Sequence, residues 1–126
     1  MKRIIIFILL LPLMCISCFV EKDYGFPDKV RFPKDGGELT LTGERWIDKI
    51  TIRDYDGNGE YDDWHSNEDT SINVTYDWLT VHSPYRESEK LQLNVEPNSS
   101  SKRRKLYITL NEYVGPDYSE ITVIQD

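Results

Sequence analysis

Cysteine is nearly absent from this chain of 126 residues. The two cysteines, Cys15 and Cys18, both lie in an apolar N-terminal segment. The rest of the chain has none, which excludes a disulfide scaffold and requires a packed core for stability. The 109 residues from Cys18 onward are enough for one domain with such a core. The two histidines, His65 and His82, are far apart and have no cysteine near them, so the sequence does not support a zinc site.

The chain has fewer basic than acidic residues. The chain has 15 Lys and Arg residues against 22 Asp and Glu residues, a formal net charge of −7. Without Lys2 and Arg3 the balance is 13 against 22, a net charge of −9. An acidic protein repels phosphate backbones and anionic headgroups, so we expect no nucleic-acid partner and no binding to an anionic membrane surface.

No hydrophobic run is long enough to cross a bilayer, which takes about 20 residues. The apolar run from Ile4 to Leu11 follows the basic start Met1-Lys2-Arg3 and leads into small and apolar residues. This layout is typical of a secretory signal peptide, and we predict one over residues 1–17. The alternative is a membrane or core helix.

The predicted signal peptide ends in Cys15-Ile16-Ser17-Cys18, which resembles a bacterial lipobox. Ser17 is the small residue before Cys18, the cysteine that such a motif acylates. The resemblance implies a lipid anchor on Cys18, and lipoprotein modification supplies the several acyl chains that stable anchoring needs. Glu21 and Asp23 are similar to the signals that send some lipoproteins to the outer cell surface. We therefore expect a protein attached to the outer membrane through its anchor only.

Helical periodicity is missing as well. After a polar, flexible tether predicted for residues 18–28, short segments alternate apolar and polar residues, as β-strands do. Examples are Leu39 and Leu41 in one segment and Leu91, Leu93 and Val95 in another. About eight such segments, separated by turn residues, predict an all-β fold over residues 29–126, an antiparallel β-sandwich of about 7–8 strands.

Several short motifs in this region occur in a recognisable order. They are Gly36-Gly37, Trp78-Leu79-Thr80-Val81, Val95-Glu96-Pro97-Asn98, Arg104 four residues before Ile108, and Ile121-Thr122-Val123-Ile124-Gln125. Their order and spacing resemble the BACON domain family, whose members are Ig-like β-sandwich modules of Bacteroidetes-type gut bacteria. Such modules often belong to surface lipoproteins and frequently sit beside glycan-degrading enzymes.

The resemblance implies an Ig-like sandwich with either carbohydrate association or a spacer role. It also implies that the matched residues are structural. Trp78 is expected to fill the core, and Asn98 and Arg104 are expected to organise the connection between two strands.

An acidic stretch from Asp54 to Asp69 is the first candidate for chemistry, because its beginning matches half of a calcium loop of the EF-hand type. Oxygens at alternate positions and a glycine at the sixth are present, whereas the twelfth position is His65 instead of Glu. No cofactor is required by the sequence, but calcium is a candidate, against the alternative of a solvated hairpin tip. The candidate ligands are Asp54, Asp56, Asn58, Glu60 and Asp62.

Aromatic residues in the same stretch predict a carbohydrate site, since exposed rings stack on sugar faces while carboxylates bind hydroxyl groups. The alternative is that these rings fold back onto the sandwich. Trp46, beside Ile47, is predicted to be a core residue. The candidate carbohydrate-binding residues are Tyr55, Tyr61, Trp64 and, in a second loop, Tyr85.

Enzyme signatures are absent: the sequence has no nucleophile elbow, no phosphate-binding glycine loop and no His-Glu-x-x-His. We therefore expect a non-catalytic surface module that binds glycan. The alternative is a structural spacer, or a subunit that contacts other proteins in a surface complex.

Overall fold

The computed structural model of the chain describes residues 20–21, 23–64, 71–84, 88–112 and 116–126. Within these ranges the protein consists of strands and turns, and none of the described residues belongs to a helix that could cross a membrane. The ten strands are β1 (Val20–Glu21), β2 (Lys29–Phe32), β3 (Gly37–Thr42), β4 (Lys49–Arg53), β5 (Gly59–Asp63), β6 (Ile72–Tyr76), β7 (Leu79–Ser83), β8 (Lys90–Val95), β9 (Arg104–Asn111) and β10 (Asp117–Gln125).

The strands form two sheets. Sheet A has six strands in the order β1-β10-β9-β4-β5, with β2 also paired to β10. Sheet B has four strands in the order β3-β8-β7-β6. The apolar positions of both sheets join in one core that includes Ile50, Ile52 and Ile108 from sheet A and Val81 and Leu93 from sheet B. This arrangement confirms the predicted β-sandwich.

Strand β10 joins strands from the first and the last part of the described residues. It pairs antiparallel with β9 along one edge. Along its other edge it pairs in parallel with β1 and β2, so sheet A is mixed and not purely antiparallel. Because parallel partners need a long connection between them, this pairing could not be read from neighbouring segments of the sequence.

The tether predicted for residues 18–28 is wrong for its described second half. Tyr24 is 0% exposed and Phe26 is 6% exposed, and both belong to the core. The carbonyl of Tyr24 accepts a hydrogen bond from the amide of Glu44 (2.7 Å), and the Phe26 ring lies so close to Gly43 that a Cβ there would overlap it. Burial of two aromatic rings removes so much apolar surface from water that this segment folds with the domain.

The residues that the sequence resemblance marked as structural lie together at one end of the sandwich. Gln125 is fully buried; its amide nitrogen donates to the carbonyls of Glu96 (2.8 Å) and Pro33 (3.1 Å), and its oxygen accepts from Nε of Arg104 (2.7 Å). The Arg104 guanidinium lies 4.7 Å from the centroid of the Trp78 ring. These contacts confirm the packing role expected for Trp78 and the organising role expected for Arg104.

Asn98 completes this end of the fold. Its side-chain nitrogen donates to the carbonyls of Lys102 (2.8 Å) and Asp126 (3.1 Å), and its oxygen accepts from the amide of Ser100 (3.0 Å). Asn98 is 2% exposed, so these bonds satisfy a buried amide in place of water. The role expected for Asn98 in the β8–β9 connection is confirmed.

We expect Gln125→Ala to lower the free energy of unfolding by about 3 kcal/mol, because it removes the hydrogen bonds that a fully buried amide makes to Arg104 and to the carbonyls of Pro33 and Glu96. Urea denaturation measures this change. The matched control is Gln92→Ala on the exposed face of β8, for which the change should stay within about 0.5 kcal/mol. Equal effects of the two substitutions would contradict the role assigned to Gln125.

Candidate functional site

The acidic stretch from Asp54 begins as the tip of a hairpin between β4 and β5. The amide of Asp54 donates to the carbonyl of Asn58 (2.8 Å), which closes the tip. One carboxylate oxygen of Asp54 accepts from the amides of Asp56 and Asn58 (2.9 Å each), and the other accepts from the Tyr76 hydroxyl (3.0 Å). Asp54 therefore ties the tip to strand β6 of the other sheet.

These hydrogen bonds change the acidity of both partners. Desolvation raises the pKa of Asp54, but the hydrogen bonds from Asn58, Tyr76 and Asp56 together outweigh it, so this pKa lies below its ordinary value. The hydrogen bond to Asp54 is the main reason that the pKa of Tyr76 is raised, followed by desolvation. The hydrogen bond between them thus stabilises the ionised form of Asp54 and the protonated form of Tyr76.

The predicted calcium ligands do not all meet at this tip. Residues after Gly59 continue as strand β5, in which Asp62 pairs with Ile50. Since a strand rises about 3.4 Å per residue, Asp62 lies roughly 10 Å along β5 from the tip. Its carboxylate accepts a hydrogen bond from the amide of Asn73 (2.9 Å).

Asp56, Asn58 and Glu60 are exposed near the tip, while Asp54 and Asp62 are half-buried. Among the described residues, no group of three or more His, Cys, Asp or Glu side chains is placed to hold a metal ion. Calcium binding by this hairpin stays a prediction from the sequence.

The predicted carbohydrate residues do not form one cluster either. Tyr55, at the hairpin tip, is 87% exposed, and Tyr61, in the middle of β5, is 61% exposed. Trp64 is half-buried at the far end of β5, where its amide donates to the carbonyl of Asp48 (3.3 Å). The hairpin therefore separates Tyr55 from Trp64 by the length of a strand. Tyr85, like Cys18 and the predicted signal peptide, lies outside the described residues.

Trp46 is exposed, which corrects the prediction that it belongs to the core. Its neighbour Ile47 is fully buried, whereas Trp46 is 54% exposed. Trp46 lines an open cleft of about 250 Å³ together with Glu44, Arg45 and Glu112, and we call this the Trp46 cleft. Trp46 precedes strand β4, which begins at Lys49. The alternation of inward and outward side chains along a strand therefore does not apply to Trp46.

The wall of the Trp46 cleft is held by a two-point ion pair. Arg45 contacts Glu112 through Nε (2.8 Å) and Nη2 (2.9 Å), and its guanidinium lies 4.8 Å from the centroid of the buried Tyr24 ring. Burial and then the negative charge of Glu112 raise the pKa of Tyr24. The cleft thus combines an exposed indole with charged groups that are already fixed in position, an arrangement suited to a polar ligand with an apolar face.

Next to this cleft lies the outward-facing surface of sheet A, which we call the outer face. Alternation along the strands turns every second side chain toward it, and the strand register places these side chains in rows roughly 7 Å apart. The three rows are Asp63-Lys49-Asn111-Tyr118, Tyr61-Thr51-Thr109-Glu120, and Gly59-Arg53-Tyr107-Thr122. Asn111 directly precedes Glu112, so the first row leads to the cleft.

The rings on the outer face are each accompanied by polar groups. The Lys49 ammonium lies 4.5 Å from the centroid of the Tyr61 ring, and the Arg53 guanidinium lies 4.8 Å from that of Tyr107. Arg53 also forms an ion pair with Glu120 (2.5 Å), which fixes the guanidinium against the ring. Tyr107 and Tyr118 are half-buried. Sequence reasoning missed Tyr107 and Tyr118, although the alternation of β9 and β10 already placed them opposite the apolar positions.

The outward surface of sheet B differs sharply. Its register places Thr40, Gln92, Thr80 and their neighbours outward, and none of the strand residues described on this surface is Phe, Tyr or Trp. Among the described strand residues, the outward-facing aromatic rings therefore lie on sheet A.

Comparison with known proteins identifies the fold but no family. No protein-family model matches the chain, and no characterised protein matches its sequence. The fold is similar to the NMR structure of a protein from Bacteroides thetaiotaomicron, with a TM-score of 0.51 and 17% identity over 83% of this chain and 85% of that chain. At this identity the likeness shows the fold alone.

Two further structures are less similar. One is a xyloglucanase of glycoside hydrolase family 5 from Bacteroides ovatus, with a TM-score of 0.48 and 17% identity over 79% of this chain and 17% of that chain. The other is an endo-fucoidan hydrolase of glycoside hydrolase family 107, with a TM-score of 0.41 and 14% identity over 88% of this chain and 15% of that chain. Scores this low support no further conclusion.

Replacing Asp54 with Ala should destabilise the protein at neutral pH and much less in acid. The pKa of Asp54 is lower in the folded than in the unfolded protein, so its contribution is complete above the unfolded value of about 3.9. That contribution is lost as the pH falls through the still lower folded value. Urea unfolding midpoints of both proteins between neutral and acid pH measure the difference.

The control for this prediction is Asp56→Ala. At Asp56 the hydrogen bond to Asp54 comes from the backbone amide, which alanine retains. The midpoint of this variant should therefore stay close to that of the unchanged protein at every pH. A destabilisation by Asp54→Ala that does not shrink in acid would show that the carboxylate charge is not what holds the tip.

Proposed function

We propose that this protein is a non-catalytic glycan-binding module of the BACON type, held at the outer membrane by a lipid anchor on Cys18. The single observation that supports glycan binding best is the concentration of accessible aromatic rings on one side of the sandwich. Tyr61 (61% exposed) lies on the outer face of sheet A with Tyr107 and Tyr118, and Trp46 (54% exposed) lies in the adjoining cleft.

Sugars have an apolar face of C–H groups and a rim of hydroxyl groups, and a protein that binds them needs partners for both. Rings such as Tyr61 supply flat apolar area at small entropic cost. Between the rings lie Thr51, Thr109 and Asn111, whose hydroxyl and amide groups can donate to and accept from sugar hydroxyls. A pure spacer has no use for a group of exposed rings, which favours a binding function over a spacer role.

Catalysis is not part of the proposal. Hydrolysis of a glycosidic bond uses two carboxyl groups on either side of the bond, roughly 5–9.5 Å apart. Two glutamates of the cleft and the outer face, Glu112 and Glu120, each form an ion pair with an arginine, Arg45 and Arg53 respectively. Neither glutamate is therefore free to act as the acid or the nucleophile of such a pair.

A glycan array probed with the purified protein tests the proposal. We expect binding to at least one class among plant, mucin and bacterial glycans. For a bound glycan, Tyr61→Ala and Trp46→Ala should each weaken the affinity by roughly tenfold, as removal of a central aromatic side chain does in many interfaces. Calorimetric titration with the bound glycan measures the loss.

Tyr55→Ala is the matched control. It removes an exposed tyrosine from the same hairpin, but at the tip and outside the paired rows. Its affinity should equal that of the unchanged protein. If Tyr55→Ala weakened binding and Tyr61→Ala did not, the site would be the hairpin tip instead of the outer face. Silence of the array toward every glycan would favour the alternative of a spacer or a protein-binding subunit.

A further inference from the structure

We propose that the outer face of sheet A selects anionic glycans, that is, chains whose sugars carry carboxylate or sulfate groups. This inference rests on the proposed glycan-binding function and adds the chemical class of the ligand. It comes from the distribution of charge between the surfaces of the sandwich.

The outer face has a charge opposite in sign to that of the protein. On strands β2, β4, β5, β9 and β10, five basic and two acidic residues point to this surface, a net charge of +3 for these five strands, whereas the whole chain carries −7. The outward surface of sheet B holds one Glu and one Lys and is neutral. The basic residues of the outer face are Lys29, Arg31, Lys49, Arg53 and Lys105, and the acidic ones are Asp63 and Glu120.

The positive charges lie beside the rings and not apart from them. Lys49 is 4.5 Å from the Tyr61 ring centroid, and Arg53 is 4.8 Å from that of Tyr107. A sugar acid presents the same two features at similar spacing, because its ring has an apolar face and its carboxylate projects from the edge. Lys49, whose ammonium lies beside an exposed ring, can therefore pair with the acid while the ring contacts the sugar, whereas Arg53 already pairs with Glu120.

Three further cations lie on the outer face toward β2, away from β5. In the register of β9, β10 and β2, Lys105 and Arg31 flank Ile124, and Lys29 lies opposite Thr122. All three cations are exposed. From β2 to β5 the outer face is five strands wide, roughly 19 Å at the usual strand spacing, which is enough for several sugar units. Repeated charges on a polysaccharide would thus meet repeated cations.

Acidic residues elsewhere on the protein would orient an anionic glycan. The hairpin tip carries Asp54, Asp56 and Glu60, and a polyanion is repelled there. Such a field guides an anionic chain to the outer face and disfavours other orientations. A lipid bilayer is a less suitable ligand, because insertion needs protruding apolar side chains, whereas the outer face presents Tyr, Thr and charged groups.

Matched pairs of ligands test the inference. The first pair is oligogalacturonate and its methyl ester, and the second is dextran sulfate and dextran. In each pair the backbone is the same and only the charge differs. We expect the protein to bind the anionic member of at least one pair tenfold or more tightly than the neutral member, with an affinity that falls as salt is added.

A pair of triple variants with equal net charge locates the effect. Lys29→Gln, Lys49→Gln and Lys105→Gln together remove three cations from the outer face. The control combines Lys34→Gln, Lys90→Gln and Lys102→Gln, which lie in turns or on sheet B. The first triple variant should lose roughly tenfold in affinity for the anionic glycan, as three exposed ion contacts would predict, and the control should lose almost none.

Each outcome decides between the two proposals. Binding of neutral glycans on the array, with no preference for the anionic member of either pair, overturns this inference but leaves the proposed function standing. Equal losses in the two triple variants also overturn it, since net charge and not the outer face would then be responsible. No binding to any glycan overturns both proposals. Tighter binding to phosphatidylglycerol vesicles than to any anionic glycan would assign the face to a membrane instead.

Discussion

The buried side chain of Gln125 holds one end of the sandwich together. Through its amide it binds carbonyls from the turn after β2 and from the segment after β8, and it orients Arg104 against Trp78. A buried amide is stable only when its donors and acceptors are used, so all of these segments must be in place at once. Strand β10 is therefore the point at which β2, β9 and the segment after β8 are joined, and with them both sheets.

The central position of β10 also creates the outer face. Because β10 pairs with β9 on one edge and with β1 and β2 on the other, it places Lys29 and Arg31 in the same surface as Tyr107 and Tyr61. These residues come from strands that are far apart in sequence. The rings and cations proposed to bind glycan thus depend on the pairing that Gln125 helps to fix.

The hairpin between β4 and β5 shows a division of roles within one acidic stretch. Asp54 uses its carboxylate to hold the tip and to reach Tyr76 in the other sheet, so it acts in folding. Tyr61, a few residues later, lies in β5 opposite Thr51 of β4, and its ring is exposed to solvent. The same stretch therefore stabilises the contact between the sheets and extends the outer face by one strand.

Alternation of apolar and polar residues determined the sandwich and its strands other than β1 and β5, because burial of one side of a strand forces a period of two on its sequence. The ordered motifs determined the structural roles of Trp78, Asn98 and Arg104. Local pattern also suggested aromatic candidates in the Asp54–Asp69 stretch, of which Tyr61 lies on the outer face.

Only the tertiary structure decided which candidates meet. It separated Tyr55 from Trp64, exposed Trp46, and buried Tyr24 and Phe26 in a segment that had been predicted as a tether. It also gathered the basic residues on one surface of an acidic protein. Composition and local periodicity carry no information about long-range strand register, and register together with the packing of the two sheets determines which distant side chains become neighbours.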